Sequence, residues 1–271
     1  MRIQRVSSKW AKTKAILQNP ALSVYIPDTR KYDLTTLKEM LSLYDMVYIK
    51  PDRGTYGNGV MRAEQRTVLL RSKKQENPTE TPEDTDTQTK LMYILRYGKS
   101  AEVFSSLEEL HSALIKSIRT QAYLIQKGID LLTHTNRPYD LRVLTQKNPD
   151  GYWETTGMLS RVAAPHKIIT NYHSGGRIMS VKAVLQDHMD ALEIESTKDH
   201  LKSVGVLVAR QLEKNYPGIK EIGLDIAIDH RHDLWLLEVN TLPSIVVFKL
   251  FTNKSIYRKI HRYAAAYGRV K

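Results

Sequence analysis

EIGLDIAIDHRHDLWLLEVNTLPS, residues 221–244, is the stretch that decides the fold of this chain. Its alternation of apolar and polar side chains predicts two antiparallel strands, at 222–229 and 234–240. The four polar residues between them, His-Arg-His-Asp, are typical of a tight turn. The stretch is therefore expected to form a β-hairpin.

The position of the turn sets which side chains oppose each other. A turn centred on residues 231–232 places Asp225 opposite Glu238 and Ala227 opposite Leu236. Successive side chains of a strand point to opposite faces, so Asn240 shares a face with Glu238. Two carboxylates and one amide oxygen then converge within about 7 Å, the diagonal spacing of neighbouring strands.

The two faces of the hairpin are expected to differ. The same register makes the face away from the acids apolar, formed by Leu224, Ile226, Ile228, Trp235, Leu237 and Val239. It places Ala227, Leu234 and Leu236 beside the acids, so the acidic face is expected to be partly buried.

Acids in such a place favour a cation. Two partly buried carboxylates repel each other, and desolvation adds to the cost. A divalent cation relieves both effects, because Mg²⁺ takes oxygen ligands and usually rests on one or two carboxylates together with substrate phosphates. The alternative is an ordinary hairpin with hydrated acids, and the hairpin alone does not decide between them.

The composition is that of a globular protein. A chain of 271 residues with 41% hydrophobic and 26% charged residues can form one large domain or two modest ones. No apolar run approaches the ~20 residues of a membrane span. The lack of cysteine excludes disulfides, thiol catalysis and cysteine-ligated metals, and it suits an intracellular setting.

The net charge of +12 favours acidic partners, among them nucleotide phosphates, nucleic acid and anionic polymers. Part of the excess lies in a basic tail that contains Lys249, Lys254, Arg258, Lys259, Arg262, Arg269 and Lys271. Interleaved tyrosines at 257, 263 and 267 would allow stacking on single-stranded nucleic acid. An amphipathic terminal helix that packs its tyrosines inward is the favoured alternative.

Other elements follow from periodicity and end signals. Helices are predicted at 8–18, 34–44, 106–119 and 199–214, and strands at 46–49, 67–71, 91–97 and 122–126. A second hairpin is predicted from 139–146 and 152–162, around the turn Asn-Pro-Asp-Gly. Residues 72–90 contain no large apolar side chain and are expected to form a flexible excursion.

Two further groups of residues could bind phosphate. Lys50 ends an apolar strand and precedes Gly54, Gly57 and Gly59, a pattern that lets backbone amides approach a phosphate but that also suits a tight hairpin. Arg142 shares a strand face with Asp140, and Arg161 lies near the far end of the partner strand. Arginines suit phosphate oxygens, and a structural Asp–Arg pair is the alternative. Neither group is specific alone.

The order of these motifs resembles the ATP-grasp superfamily. YIKPDRGTYGNGV is similar to its lysine strand and glycine loop, and LDIAIDHRHDLWLLEVNTLPS to its metal-binding hairpin. More narrowly, YLIQKGIDL, RPYDLRVLTQKNPDGYW, TGMLSRVA, TNYHSGG and LWLLEVNTLPS resemble the endospore coat-associated YheC/YheD family. Ligases that extend ribosomal-protein or tubulin tails share several of these motifs.

The resemblance implies an α+β fold in which two subdomains hold a nucleotide between antiparallel sheets. It divides the chain into an N-terminal helical and connector segment (1–43), a small subdomain (44–121), a large subdomain (122–248) and the basic tail (249–271). ATP-grasp enzymes usually carry an N-terminal α/β domain before the lysine helix, and this sequence leaves no room for one. That domain commonly helps to hold the acceptor.

The resemblance also implies site residues. The nucleotide-binding set is Lys9, Lys50, Gly54, Gly57, Gly59, Gln126, Lys127, Ile129 and Asp140. Within this set Lys9 matches the first nucleotide lysine, with Lys12 and Lys14 as neighbouring alternatives in the same helix.

The remaining roles concern the reaction and the metal. Arg142 and Arg161 would face the γ-phosphate and the developing acyl phosphate. Asn171, with the two glycines at 175–176, matches a loop near the substrate end. The Mg²⁺ ligands, with Mn²⁺ as an alternative metal, would be Asp225, Glu238 and Asn240.

The implied activity is ATP- and Mg²⁺-dependent ligation of a carboxylate to an amine through an acyl phosphate. The substrates would be amino acids, peptides or protein tails, in the cytoplasm or at the spore coat, with coat proteins as further partners. The alternative is a structural or assembly protein of the coat that binds ATP without catalysis, and the missing acceptor domain favours it. A nucleic-acid-binding module rests only on charge.

Overall fold

The computed structural model describes residues 3–55, 57–71, 87–118, 120–165, 170, 175–251 and 253–270. Its helices are α1 (Lys9–Leu17), α2 (Pro20–Ser23), α3 (Leu34–Leu43), α4 (Leu107–Ile118), α5 (Val181–Leu185), α6 (Ala191–Asn215) and α7 (Lys254–Ala266). Its strands are β1 (Thr29–Lys31), β2 (Met46–Pro51), β3 (Met61–Arg71), β4 (Thr87–Tyr97), β5 (Ser100–Phe104), β6 (Tyr123–Lys127), β7 (Thr133–His134), β8 (Arg137–Lys147), β9 (Trp153–Val162), β10 (Arg177–Met179), β11 (Glu221–Ile228) and β12 (Leu234–Asn240).

Contacts group the chain into two compact units. The first unit comprises Met1–Thr29, Asp52–Asn58 and Ile129–Lys271, and the second comprises Arg30–Pro51 and Gly59–Gly128. Residues predicted as one N-terminal segment are thus shared between both units, because α1 groups with the first and α3 with the second. The tail groups with the first unit.

The second unit is built on a six-stranded sheet in the order β1-β6-β2-β3-β4-β5. Helices α3 and α4 cover one face, where their apolar stripes meet the inward residues of the strands. The buried cluster includes Leu37, Leu41, Val47, Ile49, Leu110, Leu114 and Ile125. The alternate residues of β2 and β6, among them Lys50 and Gln126, point to the other face.

The first unit is built on a sheet in the order β10-β9-β8-β11-β12. Helix α6 begins with a capping box between Asp190 and Glu193, eight residues before the predicted start at 199. Its apolar face, including Leu201, Val204 and Val208, packs with one face of the sheet in the largest buried cluster. Helix α1 contributes Ala15 and Ile16 to the same core.

The hairpin of β11 and β12 confirms half of the predicted register. Asp225 pairs with Glu238 as expected, and Asn240 pairs with Gly223. Beyond Asp225 the register shifts by a bulge, so Ile226 pairs with Leu236, and the prediction that Leu236 opposes Ala227 is wrong. The extra residue lies in β12. Between the bulge and the turn, the side chains of β12 therefore lie on the opposite faces of the sheet from those predicted, because one inserted residue exchanges inward and outward positions.

The apolar face of this hairpin therefore differs from the prediction. Leu234 and Leu236 lie in the core with Ile226 and Val239, not beside the acids. Trp235 is partly exposed, and its indole Nε1 donates to Asp229 at 2.8 Å. Apart from this exchange, both strands occur within one residue of their predicted bounds.

The flexible excursion predicted at residues 72–90 is wrong at its C-terminal end, residues 87–90, which is the part that the structure describes. Strand β3 runs to Arg71 and β4 begins at Thr87, and the two pair along their whole length. Residues 87–90 therefore belong to a strand rather than to the predicted excursion, and residues 72–86 lie outside the described part. The sequence of residues 87–90, Thr-Gln-Thr-Lys, contains no large apolar side chain and so carries little strand signal, which is why this end of β4 was not predicted.

The tail forms the amphipathic helix α7. Tyr263 and Ile260 are buried, and Tyr257 and Tyr267 pack partly against the same cluster. The tyrosines thus pack inward, as in the favoured alternative for the tail. Within the described ranges, no helix is both long and apolar enough to cross a bilayer.

Candidate functional site

In the first unit, the hairpin brings the three predicted metal ligands to one face. Asp225 opposes Glu238 on the neighbouring strand, and Asn240 follows Glu238 on the same side. Asp225 is buried, with 8% relative exposure, whereas Glu238 and Asn240 are half-buried. The face thus grades from a buried carboxylate to one that solvent reaches.

Two arginines reach Asp225 from the next strands. Arg142 is its register partner on β8 and donates from Nε to Oδ1 at 2.6 Å. Arg161 on β9 lies 3.0 Å from the other oxygen, Oδ2. Burial alone would raise the pKa of Asp225, but the two arginines outweigh it and lower that pKa. Asp225 is therefore held ionised.

Arg161 is held in turn by Asp140, its register partner on β8. Its Nε donates to Asp140 at 2.8 Å, and its Nη2 makes a second, short contact to the same carboxylate. Burial opposes the charge on Arg161, but Asp140 and Asp225 outweigh burial and raise its pKa further above the ordinary value. The guanidinium is thus a fixed, oriented cation.

Lys9 approaches the hairpin from the start of α1. Its Nζ lies 3.8 Å from Glu238 Oε1 and donates to the carbonyl of Gly54 at 3.3 Å. Its backbone is fixed by Asp52, whose carbonyl accepts from the Lys9 amide at 2.9 Å. The Asp52 carboxylate also accepts from Ser8 Oγ at 2.9 Å. Asp52 therefore couples this helix to the glycine loop, a role that sequence reasoning missed.

Lys12 is a second cation of α1 at this site. It is 5% exposed, and burial lowers its pKa to about 8, offset in part by the charge of Glu238. Lys14, the other alternative, is exposed. A helix turn of 3.6 residues places Lys9 and Lys12 on the same side, which is the signal that could have included both.

In the second unit, Lys50 and Gln126 meet on the polar face of the sheet. Lys50 Nζ donates to Gln126 Oε1 at 2.6 Å and lies 5.4 Å from the centre of the Tyr48 ring. Gln126 is 6% exposed. Lys50 and Gln126 are both predicted to bind nucleotide. They come from strands far apart in the sequence, and they are direct neighbours in the sheet.

Two more residues of the predicted nucleotide-binding set follow Gln126. Lys127 places its Nζ 5.2 Å from the centre of the Tyr44 ring, Gly128 donates to the carbonyl of Met46 at 2.8 Å, and Ile129 is buried. The boundary of the contact units falls between Gly128 and Ile129.

The glycines of the loop adopt backbone conformations that other residues avoid. Gly57 and Gly59 have φ values of 74° and 75°, and Gly54 has 153°. A Cβ on Gly59 would lie 2.7 Å from the hydroxyl of Tyr123. The loop therefore requires glycine for its path, which fits close approach of its amides to a ligand. Asn171, the remaining predicted residue, lies outside the described residues.

The donor set fits one kind of cation. Among the described residues, no three or more His, Cys, Asp or Glu side chains cluster as a complete metal cage. Two carboxylates and an amide oxygen suit Mg²⁺ when phosphates complete its shell. Both oxygens of Asp225 already accept from arginines, so Glu238 is the more open ligand.

Comparison with known proteins identifies the family. The model of a family described as "YheC/D like ATP-grasp" matches residues 3–270. The endospore coat-associated protein YheD of Bacillus subtilis (strain 168) is 25% identical over 243 residues, 89% of this chain and 49% of the relative. Endospore coat-associated protein YheC of the same strain is 25% identical over 236 residues, 87% of this chain and 59% of the relative.

This chain thus spans about half the length of the curated relatives. Among solved structures, D-cycloserine synthetase DcsG superimposes with a TM-score of 0.55 at 10% identity, covering 96% of this chain and 70% of that chain. At this identity the likeness establishes the fold alone, and it agrees with the predicted α+β architecture of two antiparallel sheets.

Proposed function

The chain belongs to the YheC/D-like ATP-grasp family, and we propose that it is an ATP- and Mg²⁺-dependent carboxylate–amine ligase that forms an amide bond through an acyl phosphate. One observation carries the proposal: Asp225 and Glu238 oppose each other on a hairpin face that Lys9, Arg142 and Arg161 surround with positive charge. Carboxylates for a metal and cations for phosphate are what phosphoryl transfer requires.

Asp225, Glu238 and Asn240 would hold Mg²⁺, with Mn²⁺ as an alternative. When bound, the metal neutralises charge on the β- and γ-phosphates of ATP. Lys9 lies beside Glu238 and the glycine loop, so it would contact the same phosphates.

In the first step, an oxygen of the substrate carboxylate attacks the γ-phosphorus. The bond from that phosphorus to the bridging oxygen of ADP breaks, and ADP leaves with its electron pair. Arg142 and Arg161 would neutralise the charge of the transferring group. Arg161 suits this role because two carboxylates fix its orientation, and positioned charge lowers the barrier without reorganisation.

In the second step, an amine attacks the acyl carbon, the bond to the phosphate oxygen breaks and phosphate leaves. The amine loses one proton as the amide forms. No step passes through a serine or cysteine of the protein. Lys50 and Gln126 are proposed to contact the adenine and phosphates, together with the backbone from Lys127 to Ile129, and Asn171 to lie near the acceptor.

The relatives are named endospore coat-associated proteins, which favours a role in coat formation. Amino acids, peptides or protein tails, including those of coat proteins, are the proposed substrates. The same names also fit an ATP-binding structural or assembly protein of the coat that does not catalyse ligation.

The test is nucleotide binding and turnover with a panel of amino acids and peptides. The ligase proposal predicts saturable, Mg²⁺-dependent ATP binding and ADP release that rises with one acceptor. Saturable binding without ADP release for any acceptor would support the structural alternative instead. Absence of saturable ATP binding would refute both, and binding that does not depend on Mg²⁺ would refute the ligase proposal.

A further inference from the structure

The basic tail ends against the hairpin that carries the metal ligands. After α7 the chain turns at Gly268, whose φ is 77°, and the amide of Arg269 donates to Ala264 O at 2.9 Å. The Arg269 side chain then points into the first unit, to which the tail belongs, and is 17% exposed. Its Nη2 donates to the carbonyl of Pro243 at 2.6 Å, and its Nη1 forms an ion pair with Glu221.

The two partners of Arg269 lie at the open end of the hairpin, one where β11 begins and one after β12 ends. Glu221 is the first residue of β11, and Pro243 follows Asn240, the last residue of β12, by three positions. Arg269 therefore joins the start of one ligand-bearing strand to the segment that leaves the other. A single planar guanidinium can bind both oxygens at once because its donors form a rigid fork.

These contacts share the sheet face of the metal ligands. Glu221, Gly223 and Asp225 alternate onto one face of β11, at about 7 Å for every two residues. Pro243 packs on Gly223, where an added Cβ would lie 2.6 Å from Pro243 Cβ and 3.3 Å from Arg142 Cδ. Arg269 thus contacts Glu221, and Pro243 and Arg142 both lie over Gly223, the next position on the same face.

Because Pro243 packs closely on Gly223, a movement of Pro243 would also move the strands of the hairpin. Gly223 is also the register partner of Asn240, so a shift of Pro243 would move the strand end that bears this ligand. Glu221 has no exposed surface, and its other donor from the tail is the Tyr267 hydroxyl at 2.7 Å. Loss of Arg269 would leave a buried carboxylate without its cation.

We propose that Arg269 is a positioning residue of the metal site: through the carbonyl of Pro243 and the carboxylate of Glu221 it fixes Asn240 and Asp225 at the separation that Mg²⁺ requires. The inference rests on the proposed function, since it assigns the tail a part in metal binding. It gives the basic tail a role within its own chain rather than toward nucleic acid.

The test compares three variants of the full chain. Arg269→Gln removes both contacts, Tyr267→Phe removes a donor to Glu221 but leaves the Pro243 bond, and Arg258→Gln changes an exposed arginine of α7. The measurement is the Mg²⁺ concentration for half-maximal binding of a non-hydrolysable ATP analogue. Arg269→Gln is expected to need about tenfold more Mg²⁺, as for other residues that orient metal ligands.

Tyr267→Phe and Arg258→Gln are expected to keep the wild-type Mg²⁺ requirement, whatever their melting temperatures. Amide hydrogen exchange without metal gives an independent result: among the three variants, only Arg269→Gln should speed the exchange of the amides of residues 240–242 and 244. If Arg269→Gln does not fold, Arg269→Lys keeps the charge beside Glu221 but cannot span both partners, and the same Mg²⁺ shift is expected.

A Mg²⁺ requirement in Arg269→Gln or Arg269→Lys equal to that of Tyr267→Phe would overturn the inference and leave the proposed function standing. A wild type that binds the analogue equally without Mg²⁺ would overturn both. The two failures are therefore distinguishable.

Discussion

Replacing Glu238 by glutamine is expected to remove Mg²⁺-dependent nucleotide binding while leaving the fold nearly unchanged. The nearest described cation, Lys9, lies 3.8 Å away, and the Glu238 side chain is 26% exposed. A pair of this kind contributes about 0–1 kcal/mol to the free energy of unfolding. The melting temperature of the nucleotide-free protein should therefore stay within about 4 °C of the wild type.

Asp225→Asn provides the contrast. Asp225 is buried between Arg142 and Arg161, at 2.6 and 3.0 Å. Removing its charge leaves two cations undercompensated, although Arg161 keeps Asp140, so a loss of about 3 kcal/mol is expected. At about 2–4 °C per kcal/mol, the melting temperature should fall by about 6–12 °C.

The assay is thermal unfolding with ATP, with and without Mg²⁺, at about one hundred times the dissociation constant. Binding at that excess adds about 2.7 kcal/mol, so the wild type should gain about 5–10 °C when both are present. Neither Glu238→Gln nor Asp225→Asn should show this gain. Glu195→Gln, which breaks an exposed pair with Lys198 on α6, serves as the matched control and should retain it.

If Glu238→Gln keeps the full gain, the metal binds elsewhere and Glu238 is not a ligand. If Glu238→Gln loses as much stability as Asp225→Asn, the two carboxylates share one structural role and Glu238 is not the open ligand of the pair.

Three further predictions concern folding. Gly59→Ala should lower the free energy of unfolding in urea by about 1–3 kcal/mol more than Gly98→Ala, because both glycines have positive φ but only Gly59 lies against Tyr123. Equal losses would show that crowding by Tyr123 is not responsible. Gly157→Ala should speed hydrogen exchange in α7, because its Cβ would lie 2.7 Å from Phe248 on which the tail packs; unchanged exchange would contradict this. Burial alone would raise the pKa of Glu64, but three arginines outweigh it and lower that pKa, so the stability it contributes is full above the unfolded pKa of about 4.3 and is lost as pH falls below that value. The gap in melting temperature between wild type and Glu64→Gln should therefore close as the pH is lowered from 7 to 3, and a constant gap would show that the charge is not responsible.

Strand alternation predicted the centre of the site. Asp225, Glu238 and Asn240 required only a two-residue period and a turn position, and the structure brings them together in that register. The bulge after Asp225 was not predicted, because Leu236 and Leu237 are adjacent and equally apolar, so either can face the core. Local pattern therefore fixes a register near the acids and leaves it open beyond them.

Residues that act through contacts between distant segments were missed. Asp52 holds Ser8, which is 44 residues away in the chain, and nothing in either segment indicates that they meet. The sequence treated Lys12 as an alternative to Lys9, but both lysines face the same site. The sequence could not show this, because the number of lysines that a helix buries depends on what packs against it. The ordered motifs supplied the fold that local periodicity alone would not.

The tail shows the same limit. Its spacing predicted that the tyrosines face inward, as they do. Its charges gave no sign that Arg269 would leave solvent for Glu221, because a basic run is indistinguishable in sequence from a solvated surface. The pairing of Arg269 with Glu221 is evident only from the structure, which places the tail against the start of β11.

The most direct test of the ligase mechanism is to trap its intermediate. The protein is incubated with ATP, Mg²⁺, a panel of amino acids and peptides as carboxylates, and hydroxylamine in place of the amine. An acyl phosphate reacts with hydroxylamine, so one carboxylate should yield a hydroxamate in equal amount to ADP, and Glu238→Gln should yield none. Formation of AMP and pyrophosphate, or ADP release stimulated by a carboxylate without any hydroxamate, would contradict the acyl-phosphate mechanism.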